Sequence, residues 1–429
     1  MKKIITALSI LVSGVLLGQQ TPADAQSKSI LILGATAHIG DGTVIENSAI
    51  GFENGKITLV TTEDKVTTTF DTTIDGNGKH LYPGFIATNA TLGLVEIDAV
   101  RASDDKQDLG EMIPHIRSLI AYNAESKVIE SVRPNGVLMA QVTPRGGTLS
   151  GQSSVMQLDA WNWEDAAYKI DEGIHLNWPN PYTRGRWWLG EDRTLKTNKG
   201  YTDKIKEIEK FFTDSKTYWA NPSPKHLPFH AMGGVLEGKK TIYLHANNEK
   251  QIIDGISTLK ALNVPRIVLV GGNDAHLLTN FLKSHNIPVI ISRPHRLPSA
   301  EDEDIKLPFR MAKSLMDEGI LVSIDVSGSM ERMNTRNLPF YAGSFAAYGL
   351  EKEKAVQLIT GNAAKILNID SSVGTLSVGK DATLFLSKGD ALDMRTNILY
   401  HAFIQGRALS LETHQTKLWK RYSGKFATE

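Results

Sequence analysis

Apolar and polar positions alternate in three different ways along this chain. From Ser29 to about His80 the apolar runs are short and no helical period appears. Ser29–Leu33 predicts a strand. Ala49-Ile50-Gly51-Phe52 and Lys56–Val60 flank Asn54-Gly55, which predicts a two-residue hairpin within Ser48–Val60. Thr67–Ile74 predicts a further strand. From Leu81 the pattern changes. Strand-like runs at Tyr82–Ala87, Val137–Thr143, Ser153–Leu158, Thr241–His245, Arg266–Val270, Pro288–Ser292 and Leu321–Asp325 begin to alternate with helical stretches. The predicted helices are Glu249–Leu262, Ala275–His285, Leu307–Glu318 and Glu351–Ile366. Continuous apolar runs such as Ile267-Val268-Leu269-Val270 suit strands covered on both faces. Repeated strand–helix alternation predicts an α/β architecture with a parallel sheet, open or closed. Seven strands are visible, and Trp163–Met232 has room for another but reads mainly as helix and loop. After Ile366 short strands return at Asp381–Leu386 and Ala402–Gln405. All-β ends around an α/β middle predict that the two termini fold together.

Charge and composition narrow the function classes. The 429 residues carry 47 basic and 47 acidic side chains, so no basic field exists to hold a polyphosphate. Nucleic acid is excluded as an expected partner. Cysteine is absent, which excludes disulfides, thiolate metal sites and a lipidated N-terminus. Lys2 and Lys3, the uncharged run Ile4–Gly18 and Ala23-Asp24-Ala25 have the layout of a secretory signal peptide, with cleavage expected after Ala25. The run is shorter than the roughly 20 residues of a membrane span. The expected location is periplasmic or extracellular, with no membrane attachment after cleavage.

Four stretches carry a resemblance. They are Asn54-Gly55-Lys56-Ile57, Leu81-Tyr82-Pro83-Gly84-Phe85-Ile86, Thr360–Leu367 and Val373–Leu384. Together they resemble the amidohydrolase superfamily, in its imidazolonepropionase-like branch, over nearly the whole chain after residue 25. The resemblance implies a distorted (β/α)8 TIM-type barrel at 81–369 and a small composite β-domain from 26–80 and 370–410, leaving 411–429 as a tail. It implies a hydrolase of non-peptide C–N bonds in cyclic amides or similar molecules, working through a metal-activated water.

The residues that would hold that metal are altered. In the family, strand 1 supplies His-x-His after the Pro-Gly-Phe-Ile run; here Asn89 and Thr91 stand at those places. Their neutral oxygens are poor zinc ligands. His245 matches the family's strand 5 histidine. Gly271-Gly272 stand where the strand 6 histidine is expected, and His276 lies further on. Asp325 is the expected counterpart of the strand 8 aspartate, a ligand and general base, although the family position falls nearer Ser327. Glu164 is a strand 4 candidate only by its place in the sequence. The expected metal ligands are therefore His245 and Asp325, in a weak or absent site for zinc or another divalent ion, and the same two are the expected catalytic pair. Asn89, Thr91, Arg145, Trp161, Trp163, His276 and Arg336 are the expected substrate-binding residues. Arg145 opens the glycine-rich turn Arg145–Gly151, the tryptophans could line a cleft, and Arg336 could grip a carboxylate. Three readings stay open: a hydrolase with an altered centre, a pseudoenzyme acting as a binding or partner subunit, and a periplasmic solute-binding protein. The expected partners are a small molecule and either a second copy or an intact relative.

Overall fold

Strands from both ends of the chain share one eight-stranded sheet. The computed structural model describes residues 21–192, 194–298, 303–328 and 330–426, so the apolar run Ile4–Gly18, expected to belong to a signal peptide, lies outside the described residues. The sheet contains β1 (Ile30–His38), β2 (Val44–Glu53), β3 (Lys56–Thr62), β4 (Thr72–Asp75) and β5 (His80–Pro83) from the N-terminal side. The hairpin β2–β3 turns at Asn54 and Gly55, both with positive φ (50° and 78°), as a tight two-residue turn requires. Of the predicted strand Thr67–Ile74 only Thr72, Thr73 and Ile74 pair, and β4 ends one residue later.

The run from Tyr82 onward divides at Gly84. Up to Pro83 it belongs to the sheet; β6 (Phe85–Ala90) starts the barrel. A Cβ at Gly84 would lie 2.8 Å from the Thr383 methyl, so the crossing admits only glycine without a shift. Beyond β6 come β7 (Val137–Val142), β8 (Leu149–Gln157) and β9 (Ala167–Asn177). A two-stranded excursion, β10 (Tyr182–Thr183) with β11 (Lys196–Thr197), precedes the helix Tyr201–Ala220. Then follow β12 (Thr241–Ala246), β13 (Ile267–Gly271), β14 (Val289–Ser292) and β15 (Val322–Asp325). The sheet is completed by β16 (Leu384–Ser387), β17 (Leu399–Ile404) and β18 (Arg407–Ala408).

Eight strands close the barrel in the order β12-β13-β14-β15-β6-β7-β8-β9. Closure is by Asp325 against Thr88. One strand corrects the expectation of an all-parallel sheet: β8 runs antiparallel to both β7 and β9. The physical reason is connection length. Residues 143–148 alone join β7 to β8, whereas a parallel crossover needs a dozen residues or more. The eighth strand, β9, lies inside the stretch that reads as helix and loop. Its first half, Ala167-Tyr168-Lys169-Ile170-Asp171-Glu172, is too polar to look buried, and positive φ at Asp171 (48°) interrupts its alternation.

Three further differences are local. The predicted helix Glu351–Ile366 breaks into Lys352–Leu358 and Gly361–Ile366. Ala275–His285 divides into a short 3-10 turn and the helix Thr279–Ser284. The tail carries a helix, His414–Ser423. Inside the barrel, Ile86, Met139, Val155, Tyr243, Val268 and Ile290 pack in one apolar cluster with Ala363, Ala364 and Ile366. Apolar residues therefore fill one part of the interior and leave the strands' C-terminal ends to polar groups.

Candidate functional site

The polar end of the barrel is built from adjacent strands. Asn89 sits near the end of β6 with φ 52°, at a shift in the β6–β7 register between Ala87 and Ala90. Asparagine tolerates this left-handed conformation better than most residues. The shift turns its side chain and backbone to different partners. Its N–H donates to Gln141 Oε1 (2.9 Å), and its amide Nδ2 donates to Asp325 Oδ1 (3.1 Å). Its Oδ1 and backbone carbonyl accept from Arg145 Nη1 and Nη2 (2.9 and 2.8 Å). Arg145 also reaches Glu331 at 3.3 Å. Asn89 is thus a bridge between a cation and a carboxyl group.

Asp325 ends β15 and is buried. Burial pushes its carboxyl up to about 6, against the lowering effect of hydrogen bonds from Ser327 and of the nearby Arg145 charge. Ser327 donates from both Oγ (2.6 Å) and its backbone N–H (2.7 Å). Ser327 thus serves Asp325 rather than replacing it.

His245 lies near the end of β12, opposite Asn177 of β9. Its Nε2 is 2.8 Å from His175 Nδ1. His175 Nε2 is 2.9 Å from Ser153 Oγ, which donates to Glu172 Oε1 at 2.6 Å. Gln141 Nε2 and Tyr243 OH also donate to Glu172 (2.6 and 2.8 Å). Burial, with Arg145 beside it, holds His245 down to about 3, and burial with both neighbours holds His175 well below the usual imidazole range. Both rings are therefore neutral at pH 7. Arg145 acts electrostatically on His175, His245 and Asp325 alike, which puts all of them around one cation.

This donor set does not fit the divalent centre that the sequence resemblance implies. Among the described residues, no three His, Cys, Asp or Glu side chains come together as a metal-holding group. His175 and His245 turn nitrogens toward each other, His175 spends both of its own, and a guanidinium occupies the oxygen of Asn89. A fixed positive charge there opposes a second cation. No step is therefore routed through a metal.

The other expected residues divide by position. Thr91 is buried just beyond the end of β6, and its carbonyl accepts from Leu94. His276 follows β13 on the same end of the barrel, with a buried Nδ1 that has no partner. Trp161 and Trp163 are corrections. They precede β9 and therefore lie at the opposite end from Asn177; Trp161 is 65% exposed. Trp178 is buried and donates to Tyr201, so it shares no cleft with Trp161 and Trp163. Glu164 is exposed on the one-turn helix beside them. Arg336 is exposed, and its carbonyl accepts from Asn135, which precedes β7 at that same far end. The sequence reading missed Gln141, Ser153, Glu172 and His175. A usable signal was His175 between apolar Ile174 and Leu176, three residues after Glu172.

Comparison with known proteins agrees with this architecture. The amidohydrolase family model matches residues 230–411. An amidohydrolase from Thermotoga maritima MSB8 superposes with a TM-score of 0.75 at 21% identity, covering 89% of this chain and 99% of that one. An adenosine deaminase from Xanthomonas campestris with bound zinc gives 0.52 at 12% identity, over 94% and 98% of the chains. Molinate hydrolase gives 0.52 at 13%, over 90% and 95%. No curated protein sequence matches the chain. The family match lies in the second half of the chain, and the superposed structures, at 21% identity or less, share its fold.

Proposed function

We propose that this protein is a hydrolase of non-peptide C–N bonds, such as those of small cyclic amides, with an arginine in place of the metal as the cation of its centre. The observation that carries the reading is the bridge Arg145–Asn89–Asp325 at the barrel mouth, where family sites lie. Asp325 takes a proton from water as the water oxygen bonds to the carbonyl carbon, and returns it to the leaving nitrogen as the C–N bond breaks. A carboxyl group near 6 is largely ionised at pH 7 yet still basic enough for the task. Arg145 faces the oxyanion that forms as water adds to the carbonyl; the long contact to Glu331 is the one that an incoming oxygen displaces.

Magnitudes permit this. General base help gives about 10²–10⁴-fold, and one preorganised oxyanion donor gives about 10²–10³. Their product, about 10⁴–10⁷, reaches the lower end of enzymatic acceleration, about 10⁶. The relatives' chemistry supports the reading at the level of class: a deaminase and a molinate hydrolase share the fold. The imidazolonepropionase-like branch and export, to the periplasm or the cell exterior, belong to this same proposal.

The pseudoenzyme reading is favoured by one observation, the Asn89 and Thr91 replacements. A panel of cyclic amides and N-acyl amino acids separates the two. The hydrolase reading expects turnover that falls about 10²-fold or more in Arg145→Met and in Asp325→Asn. Turnover indifferent to both changes, or absent throughout the panel, overturns it.

A further inference from the structure

We infer that a buried relay fixes His245 in one tautomer, with a proton on Nε2 and a bare lone pair on Nδ1, so that the mouth offers a hydrogen-bond acceptor to a ligand N–H or O–H. One group at the head of the relay has no freedom. The backbone N–H of Asn89 can only donate, and it donates to Gln141 Oε1 at 2.9 Å. That sets the Gln141 amide, so its NH₂ end is the one 2.6 Å from Glu172 Oε1. Glu172 Oε1 must then accept, whether the carboxyl is ionised or carries its proton on Oε2. Ser153 lies 2.6 Å from the same oxygen, and its single hydroxyl proton goes there. The Ser153 oxygen is left as an acceptor, so the His175 Nε2 at 2.9 Å carries a proton and donates. A neutral imidazole has one N–H. His175 Nδ1 is therefore bare, and at 2.8 Å it accepts from His245 Nε2–H. By the same rule His245 Nδ1 is bare.

Each member is enclosed. Gln141, Ser153 and His175 are wholly buried and Glu172 is 3% exposed, whereas His245 is only partly buried. The relay thus opens to the outside at His245. Tyr243 stacks on His175 with ring centres 4.7 Å apart and holds the second Glu172 oxygen, which keeps the ring from rotating. Gln141, Ser153, Glu172 and His175 are positioning residues, and the ligand class is a molecule with an N–H or O–H beside the group that Arg145 meets. This deepens the hydrolase reading, since an amide N–H has the required donor, but the tautomer stands without it.

The test is long-range ¹⁵N–¹H NMR of the ¹⁵N-histidine-labelled protein without ligand, compared with Ser153→Ala. Wild type is expected to show both rings neutral and His245 with a pyrrole-type Nε2 and a pyridine-type Nδ1. Ser153→Ala removes the acceptor of His175, and losing one hydrogen bond of about 1 kcal/mol should move the tautomer ratios by about fivefold or more. A wild-type His245 protonated on Nδ1 overturns the inference, whether or not the variant folds. Unchanged histidine signals in a folded Ser153→Ala protein overturn it too. Neither result depends on turnover, so failure of the hydrolase reading is distinguishable.

Discussion

At the scale of single residues, Asp325 makes the sharpest prediction. Its carboxyl is raised in the folded protein, from 3.8 to about 6, chiefly by burial. The folded state therefore binds more protons than the unfolded state between those values, and stability falls as pH rises from about 4 to about 6. The shift corresponds to roughly 3 kcal/mol as an upper figure. Asp325→Asn cannot ionise and removes this loss. Denaturant unfolding at pH 4 and pH 7 should show the variant gaining on wild type by about 1–3 kcal/mol between the two; a difference that does not change with pH contradicts the assignment. Asn89 shows what was legible at this scale. Asn89 and Thr91, at the places where the resemblance expects histidines, are plain in the sequence. That asparagine also suits a left-handed backbone and ties Arg145 to Asp325 is a matter of register, which no residue pattern gives.

At the scale of elements, the hairpin β7–β8 and the strand β9 make the site. The six residues between Val142 and Leu149 are too few for a crossover, so the antiparallel turn was readable from spacing. β9 was not readable in the same way. Its bulge at Asp171 and its charged first half break the alternation by which a strand is recognised. Within β9, Gly173 has no room for a side chain: a Cβ there would lie 2.3 Å from Tyr243 Cε2 and 2.9 Å from the Thr241 carbonyl. Gly173→Ala should cost about 1–3 kcal/mol by overpacking. It should also disturb the Tyr243–Glu172 bond, visible as a change in the Tyr243 ring signals. Wild-type stability in that variant would show that the barrel wall yields there.

At the scale of the molecule, one buried ion network ties the sheet to the barrel. Asp159, which follows β8, accepts from Arg133 (2.7 Å) and from Arg407 of β18 (2.8 Å). Arg133 and Asp159 side chains are 5% and 3% exposed. Removing the carboxylate breaks a buried pair, which costs about 3–5 kcal/mol. Asp159→Ala should lower the unfolding midpoint by that measure in calorimetry; an unchanged midpoint would show that water reaches Arg133. The joining of the two termini in one sheet was legible from the short strands at each end, because all-β pattern and the Asn-Gly turn are local signals.

The proposed centre has an arginine, not a divalent ion, as its positive charge. Metal content and turnover measured on the same dialysed, chelator-treated protein test that most directly. The expected result is well under one ion per chain, and hydrolysis of the responsive amide within about twofold of the untreated rate, lost by about 10²-fold or more in Arg145→Met. One ion per chain that survives dialysis, with turnover that disappears on its removal and returns with zinc, would contradict it.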